Sequence, residues 1–200
     1  MREAILLAVA ALVLAGGACA DGEASRTKPP TSAGVIDSAL PMEEALRRFR
    51  EGRSEPTGLR GGAPEREALV QAFVAALERR DTAVLRGMVL GAEEFAWLYY
   101  PSSPMSRAPY ELPPDLMWLQ MQGQSEKGAS LLLGERAGAP LGYLGHTCGS
   151  ERTEGENRIH GHCVLRRVTA EGDTVNERLF GLIVERGGIY KFVSYANKLG

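Results

Sequence analysis

Cysteine and histidine are sparse in this chain of 200 residues, so the few that lie close together carry most of the chemical argument. Cys148 and Cys163 are flanked by His146, His160 and His162, and Cys19 stands apart near the N-terminus. Counting outward from a tight turn at 154–157 (Glu, Gly, Glu, Asn) sets Cys148 opposite Cys163 on neighbouring antiparallel strands. Opposed cysteines come within bonding reach there, and in an oxidising compartment the bridge would stabilise by about 3 kcal/mol through loop closure. Two buried free thiols are the competing reading. Imidazole and thiolate are also zinc ligands. Strand alternation opposes that use: in an unbroken ladder His160 and His162 share one face, whereas Cys163 lies on the other with Cys148 and His146. A donor set divided between two faces closes around no single ion, so neither a metal nor another cofactor is expected.

The next candidates are aromatic. Phe95, Trp97, Tyr99, Tyr100 and Trp118, with Tyr110 nearby, either line a pocket for a small apolar ligand or form core. No G-x-S-x-G motif and no lone cysteine paired with a histidine marks a nucleophile. A general base would have to be Glu111 or Asp115, and spacing alone perturbs neither.

The first twenty residues give an address. Arg2 supplies a positive start, residues 5–14 an apolar run of about half the ~20 residues a membrane-spanning helix needs, and residues 16–20 a small-residue processing site. Ala18, Cys19 and Ala20 fit ordinary signal cleavage. The same Cys19 after an apolar run also resembles a bacterial lipoprotein signal, with the cysteine lipidated as the mature first residue; Gly16, where a branched apolar residue is usual, weakens that match. Export to the bacterial periplasm or outer envelope follows from either route, with membrane attachment only through a lipid on Cys19. The Ser-, Thr-, Pro- and Gly-rich stretch at 21–37 reads as a flexible tether.

Net charge is −2, and the arginine clusters at 47–53 and 79–80 are offset by Glu43, Glu44, Glu51 and Glu78. These are solvated helix faces, not a nucleic-acid stripe. The elements that must position the candidates follow from periodicity. Residues 38–52 read as a helix, and the glycine- and proline-rich loop to 63 makes it an appendage to the main domain at 64–200. Pro64 to Arg80 is a stronger helix, with Leu69, Val70, Phe73, Val74 and Leu77 on one face. Asp81 caps a short helix carrying Val84, Leu85, Met88 and Val89. A long helix runs from Pro114 to about Gly134. Four strands follow at 141–148, 158–168, 175–185 and 189–196, joined by short turns, so they form an antiparallel meander.

Helix, short helix, long helix and then an antiparallel meander give an α+β domain that resembles the cone-shaped, cystatin-like fold of the nuclear transport factor two superfamily. The run 73–85 and the closing hairpin at 182–194 carry the resemblance, over roughly residues 64–199. It implies helices packed on a four-stranded sheet, a cone that is open or filled, and a sheet face that often supports a homodimer. That fold hosts both enzymes and binding modules, so it carries no catalytic residue over. The expected function is a non-catalytic binding or accessory module of the envelope, its partner an apolar small molecule or an envelope protein. The alternative is a small cavity enzyme, an isomerase or hydrolase acting on an apolar substrate.

Overall fold

The computed structural model describes residues 40–195 and Lys198; the export signal, Cys19 and the tether lie outside the described residues. Helix α1 (Met42–Arg50) places Glu43 and Glu44 in its first turn and Arg47, Arg48 and Arg50 in its last, the polarity that suits the helix dipole. Helix α2 (Arg66–Glu78) buries the stripe read from the sequence, Leu69, Val70, Phe73, Val74 and Leu77. Asp81 starts α3 (Thr82–Gly87) by accepting a hydrogen bond from the Val84 N–H at 3.1 Å. Turn α4 (Ala92–Glu94) runs on through a single π-type turn at Phe95–Tyr99. Helix α5 (Pro114–Glu135) is the longest.

The fold is α+β, and its sheet is antiparallel with five strands in place of the four expected. Strands β1 (Tyr143–Glu154) and β2 (Asn157–Val168) form a long hairpin in the register deduced from its turn. The single third strand expected at 175–185 is broken into β3 (Thr174–Glu177) and β4 (Ile183–Arg186), which pair with opposite ends of β2. The break has a packing cause. Leu179 and Phe180 are adjacent and both buried, which one face of a regular strand cannot achieve. Strand β5 (Ile189–Phe192) closes the sheet on β4.

Strand β2 also changes faces partway along. Ile159 belongs to one core and Leu165 to the other, although regular alternation would put both on the same side. His162, at φ 52°, is where the alternation is reset. The first core lies between α2 and one face, with Phe73 edge-on to Phe180 and Phe192 at 5.6 and 5.4 Å. The second gathers Phe49, Phe95, Tyr99 and Tyr100 on the other face. Helix α1 is part of this core: Phe49 packs edge-on to Phe95 at 5.6 Å, and Arg50 donates to the Ala96 carbonyl. Helix α5 serves both, with Met117, Trp118 and Met121 on the second core and Leu132 in the first.

Buried polar groups fix how these layers meet. Lys191 of β5 and Glu94 of α4 pair at 2.6 Å with almost no exposure. The Glu94 carboxylate also accepts from the backbone N–H groups of Arg60 at 2.7 Å and Gly91 at 2.8 Å. Asn157, at the hairpin tip, donates to the Leu98 carbonyl at 2.7 Å and to the Ser102 hydroxyl at 2.9 Å. Gly155 is required beside it, at φ 62° and so close that an added Cβ would lie 2.8 Å from Ser102. Burial alone would push the Glu177 carboxyl up, but hydrogen bonds from Arg136 and Arg167 outweigh it and hold the group below its usual value.

Cys148 and Cys163 form a disulfide across β1 and β2. Reducing it should lower unfolding stability by roughly 3 kcal/mol, measured in urea, and thiol titration of the native protein should find neither sulfur free. Lys191→Met leaves a buried carboxylate without its counter-charge and should cost about 3–5 kcal/mol. The double variant Glu94→Gln with Lys191→Met should recover part of that loss.

Candidate functional site

The best-formed concavity among the described residues is a groove of ≈ 620 Å³ between α3 and α5, with the end of β5 beneath it. Its floor is built by helical spacing: Trp118, Met121, Ser125, Ala129 and Leu133 recur along one side of α5, opposite Leu85, Val89 and Leu90. Two polar side chains lie on the floor, and each makes one hydrogen bond within the protein. The Ser125 hydroxyl accepts from the Tyr195 N–H at 3.3 Å, and the Tyr195 O–H donates to the Leu85 carbonyl at 2.6 Å. Burial pushes the Tyr195 hydroxyl well above its ordinary pKa, so it stays protonated. The polar side chains stand at the mouth. Arg86 rises from α3, and on α5 Gln122 donates to Glu126 at 2.9 Å.

Of the five aromatic residues proposed for ligand binding, Trp118 alone lines this groove. It packs on Phe95 at a ring separation of 5.2 Å, so the second core supports the groove from behind. Phe95, Tyr99 and Tyr100 are buried in that core. Burial, with the nearby Glu154 carboxylate second, pushes the Tyr99 hydroxyl up to about 12. Burial likewise raises Tyr100 to about 12, and its O–H donates to the Leu112 carbonyl at 2.8 Å. Trp97 lies under the Arg50 guanidinium at 5.0 Å, a cation–π contact that ties α1 down. Glu111, Asp115 and Tyr110 are exposed and take no part in the groove lining.

The histidines are arranged differently from the ladder expected of them. His160 and His162 do not share a face: His162 is exposed, 3.1 Å from the Ser150 hydroxyl, whereas His160 is buried. The reset at His162 brings His160 to the side of His146, Cys148 and Cys163. A single cation already occupies the space between the two imidazoles. Arg66, at the start of α2, donates to His146 Nε2 at 3.1 Å and lies 3.2 Å from His160 Nδ1. A nitrogen that accepts from arginine carries no proton, so this geometry selects a neutral ring for His146, while His160 Nδ1 also faces the Glu151 carboxylate at 3.3 Å. Nδ1 of His146 faces the Glu67 carboxylate at 3.1 Å and the Tyr143 hydroxyl at 3.1 Å. His160 stacks on Tyr190, and its Nε2 is buried without a partner. With the sulfurs bonded to each other and a guanidinium between the rings, the physical obstacle to a metal is charge and occupancy, not separation onto two faces.

Sequence reasoning missed both the groove floor and the Arg66 bridge. The floor had a signal in the small residues of α5, where Ser125, Ala129 and Ser130 follow Met121 on a helix that otherwise looks polar. The bridge had none, because Arg66 meets residues 80 and 94 positions away. No protein family, curated protein or solved structure matches the chain.

The two neutral histidines fix the sign of a pH response. Burial first, then Arg66, holds His160 below the usual 6.5, and burial holds His146 below it despite Glu67. An unfolded chain therefore binds protons below about pH 6.5 that the native protein refuses, so stability should fall as pH drops from there. Urea midpoints measured between about pH 7.5 and pH 5 should slope downward, and the slope should flatten in the variant carrying His146→Gln and His160→Gln.

Proposed function

We propose that this protein is an exported module of the bacterial envelope, anchored by a lipid on Cys19, that binds a small apolar ligand in the groove without chemically altering it. The observation that carries the reading is a largely apolar floor whose two buried polar side chains, Ser125 and Tyr195, each already make a hydrogen bond within the protein. An occupant of that floor gains chiefly from leaving water. Catalysis would need a group poised to move a proton. The titratable groups in the lining are Arg86, Glu126 and Tyr195, and only the exposed Glu126 is a carboxylate. The tyrosine hydroxyl is committed to a backbone carbonyl. These features favour binding over the cavity-enzyme alternative.

In the same reading the chain is a divergent member of the nuclear transport factor two superfamily. Support comes from the order of α2, the short α3 and the long α5 ahead of an antiparallel sheet, with α5 spanning both cores. The groove then stands where that architecture opens.

Expressed as the full chain in a bacterium, the protein should fractionate with membranes, and Cys19→Ser should release it into the soluble envelope fraction. A cytoplasmic protein retaining Met1 would overturn export. The purified protein should bind the neutral probe N-phenyl-1-naphthylamine saturably, with quenching of tryptophan emission. Ala129→Trp, which fills the groove from α5, should abolish binding while the melting transition stays in place. Probe binding that is indifferent to this substitution overturns the groove as the ligand site.

A further inference from the structure

The mouth of the groove carries one charge of each sign, Glu126 on α5 and Arg86 on α3. Glu126 is engaged by Gln122 at 2.9 Å, and its own backbone carbonyl accepts from the Ser130 hydroxyl at 3.0 Å. Arg86 stands on the α3 side, exposed, and none of the ion pairs among the described residues includes it. A guanidinium presents a planar fork of donors that matches a carboxylate in two parallel hydrogen bonds. Below it the floor is largely apolar. The volume of ≈ 620 Å³ lies within the range of about 300–1,000 Å³ typical of small-molecule sites.

We infer that the groove selects a free single-chain amphiphile with a carboxylate head, its chain along Trp118, Met121 and Leu133 and its head on Arg86. This assignment rests on the groove reading above and adds to it the chemical class of the ligand. An ammonium head would meet Arg86 as a like charge and have only the Gln122-engaged Glu126 to pair with, and an uncharged alcohol would leave the fork to water. The carboxylate gains a charge-assisted pair at the edge of a low-dielectric surface, where such a pair is stronger than in open solvent.

The test uses the full mature protein and three probes of equal chain length, dodecanoate, dodecanol and dodecyltrimethylammonium, each held below its micellar concentration. Tryptophan emission reads occupancy. Dodecanoate should half-saturate at a concentration about tenfold lower than dodecanol, and the ammonium should bind more weakly than dodecanoate. Arg86→Gln should bring dodecanoate to the level of dodecanol, while Arg86→Lys should keep part of the preference. Because Arg86 is exposed, the melting transition of both variants should match the parent protein. Added salt should narrow the gap between dodecanoate and dodecanol. Equal binding of dodecanoate and dodecanol, or a preference that survives Arg86→Gln, overturns the assignment and leaves the apolar groove standing. Absence of saturable binding by all three overturns the groove reading with it.

Discussion

A strand that is buried on both sides must deliver apolar residues to each of them, and β2 meets this demand by reversing its alternation at His162. Before the reversal Ile159 feeds the core around Phe95; after it Cys163 and Leu165 feed the core around Phe73. A non-glycine residue at φ 52° is a conformation most side chains avoid, and the exposed imidazole tolerates it next to Gly161. Everything downstream inherits the choice. The split of the third strand lets β4 pair with the first part of β2 and β3 with the last part, each against the face it needs. The disulfide lies just past the reversal and locks β1 to it at that point.

Two cores on opposite faces need connections through the polar layer, and buried charges supply them. Glu94 draws together the loop ahead of α2, the first turn of α4 and β5 in one carboxylate. Glu177 does the same at the other end of the sheet for α5 and β2. Neither pair need add much stability compared with apolar residues of the same shape. Each penalises any arrangement in which its elements are misaligned, since a buried charge without its partner is costly. The groove borders the first of these joints, with Leu90 and Gly91 in its wall.

The legible parts of the sequence were local. The stripe of α2, the Asp81 cap and the hairpin register each depend on residues within a turn or two, and all three appear as read. The histidine faces were not legible, because alternation assumes an unbroken ladder and nothing in the residue types at 160–163 announces a left-handed backbone. The break at 178–182 had the same origin: Leu179 and Phe180 look like strand residues and are pulled inward by contacts remote in sequence. The packing of α1 was hidden behind a loop of glycines and prolines that says nothing about where its helix ends. Among the aromatics, ring density marked burial correctly for Phe95, Tyr99 and Tyr100, but only the spacing of α5 set Trp118 apart.

The middle of α5 is poorly provided with helix-stabilising residues. Gly123, Ser125, Gly128 and Ser130 fall within two turns, and each glycine is less favourable in a helix than alanine by about 1 kcal/mol. Nothing lies within 4 Å of a side chain placed at Gly123, so close packing does not require glycine there. The ends of the helix are anchored on separate cores, and its centre lines the groove, where the Ser125 hydroxyl on the Tyr195 N–H is its one side-chain tie beyond the helix among the described residues. Such a segment opens locally at a lower free energy than its ends. Amide exchange within α5 would therefore be faster along the groove than at Leu132, and a guest too long to slide in from the mouth has a route through transient unwinding of this wall.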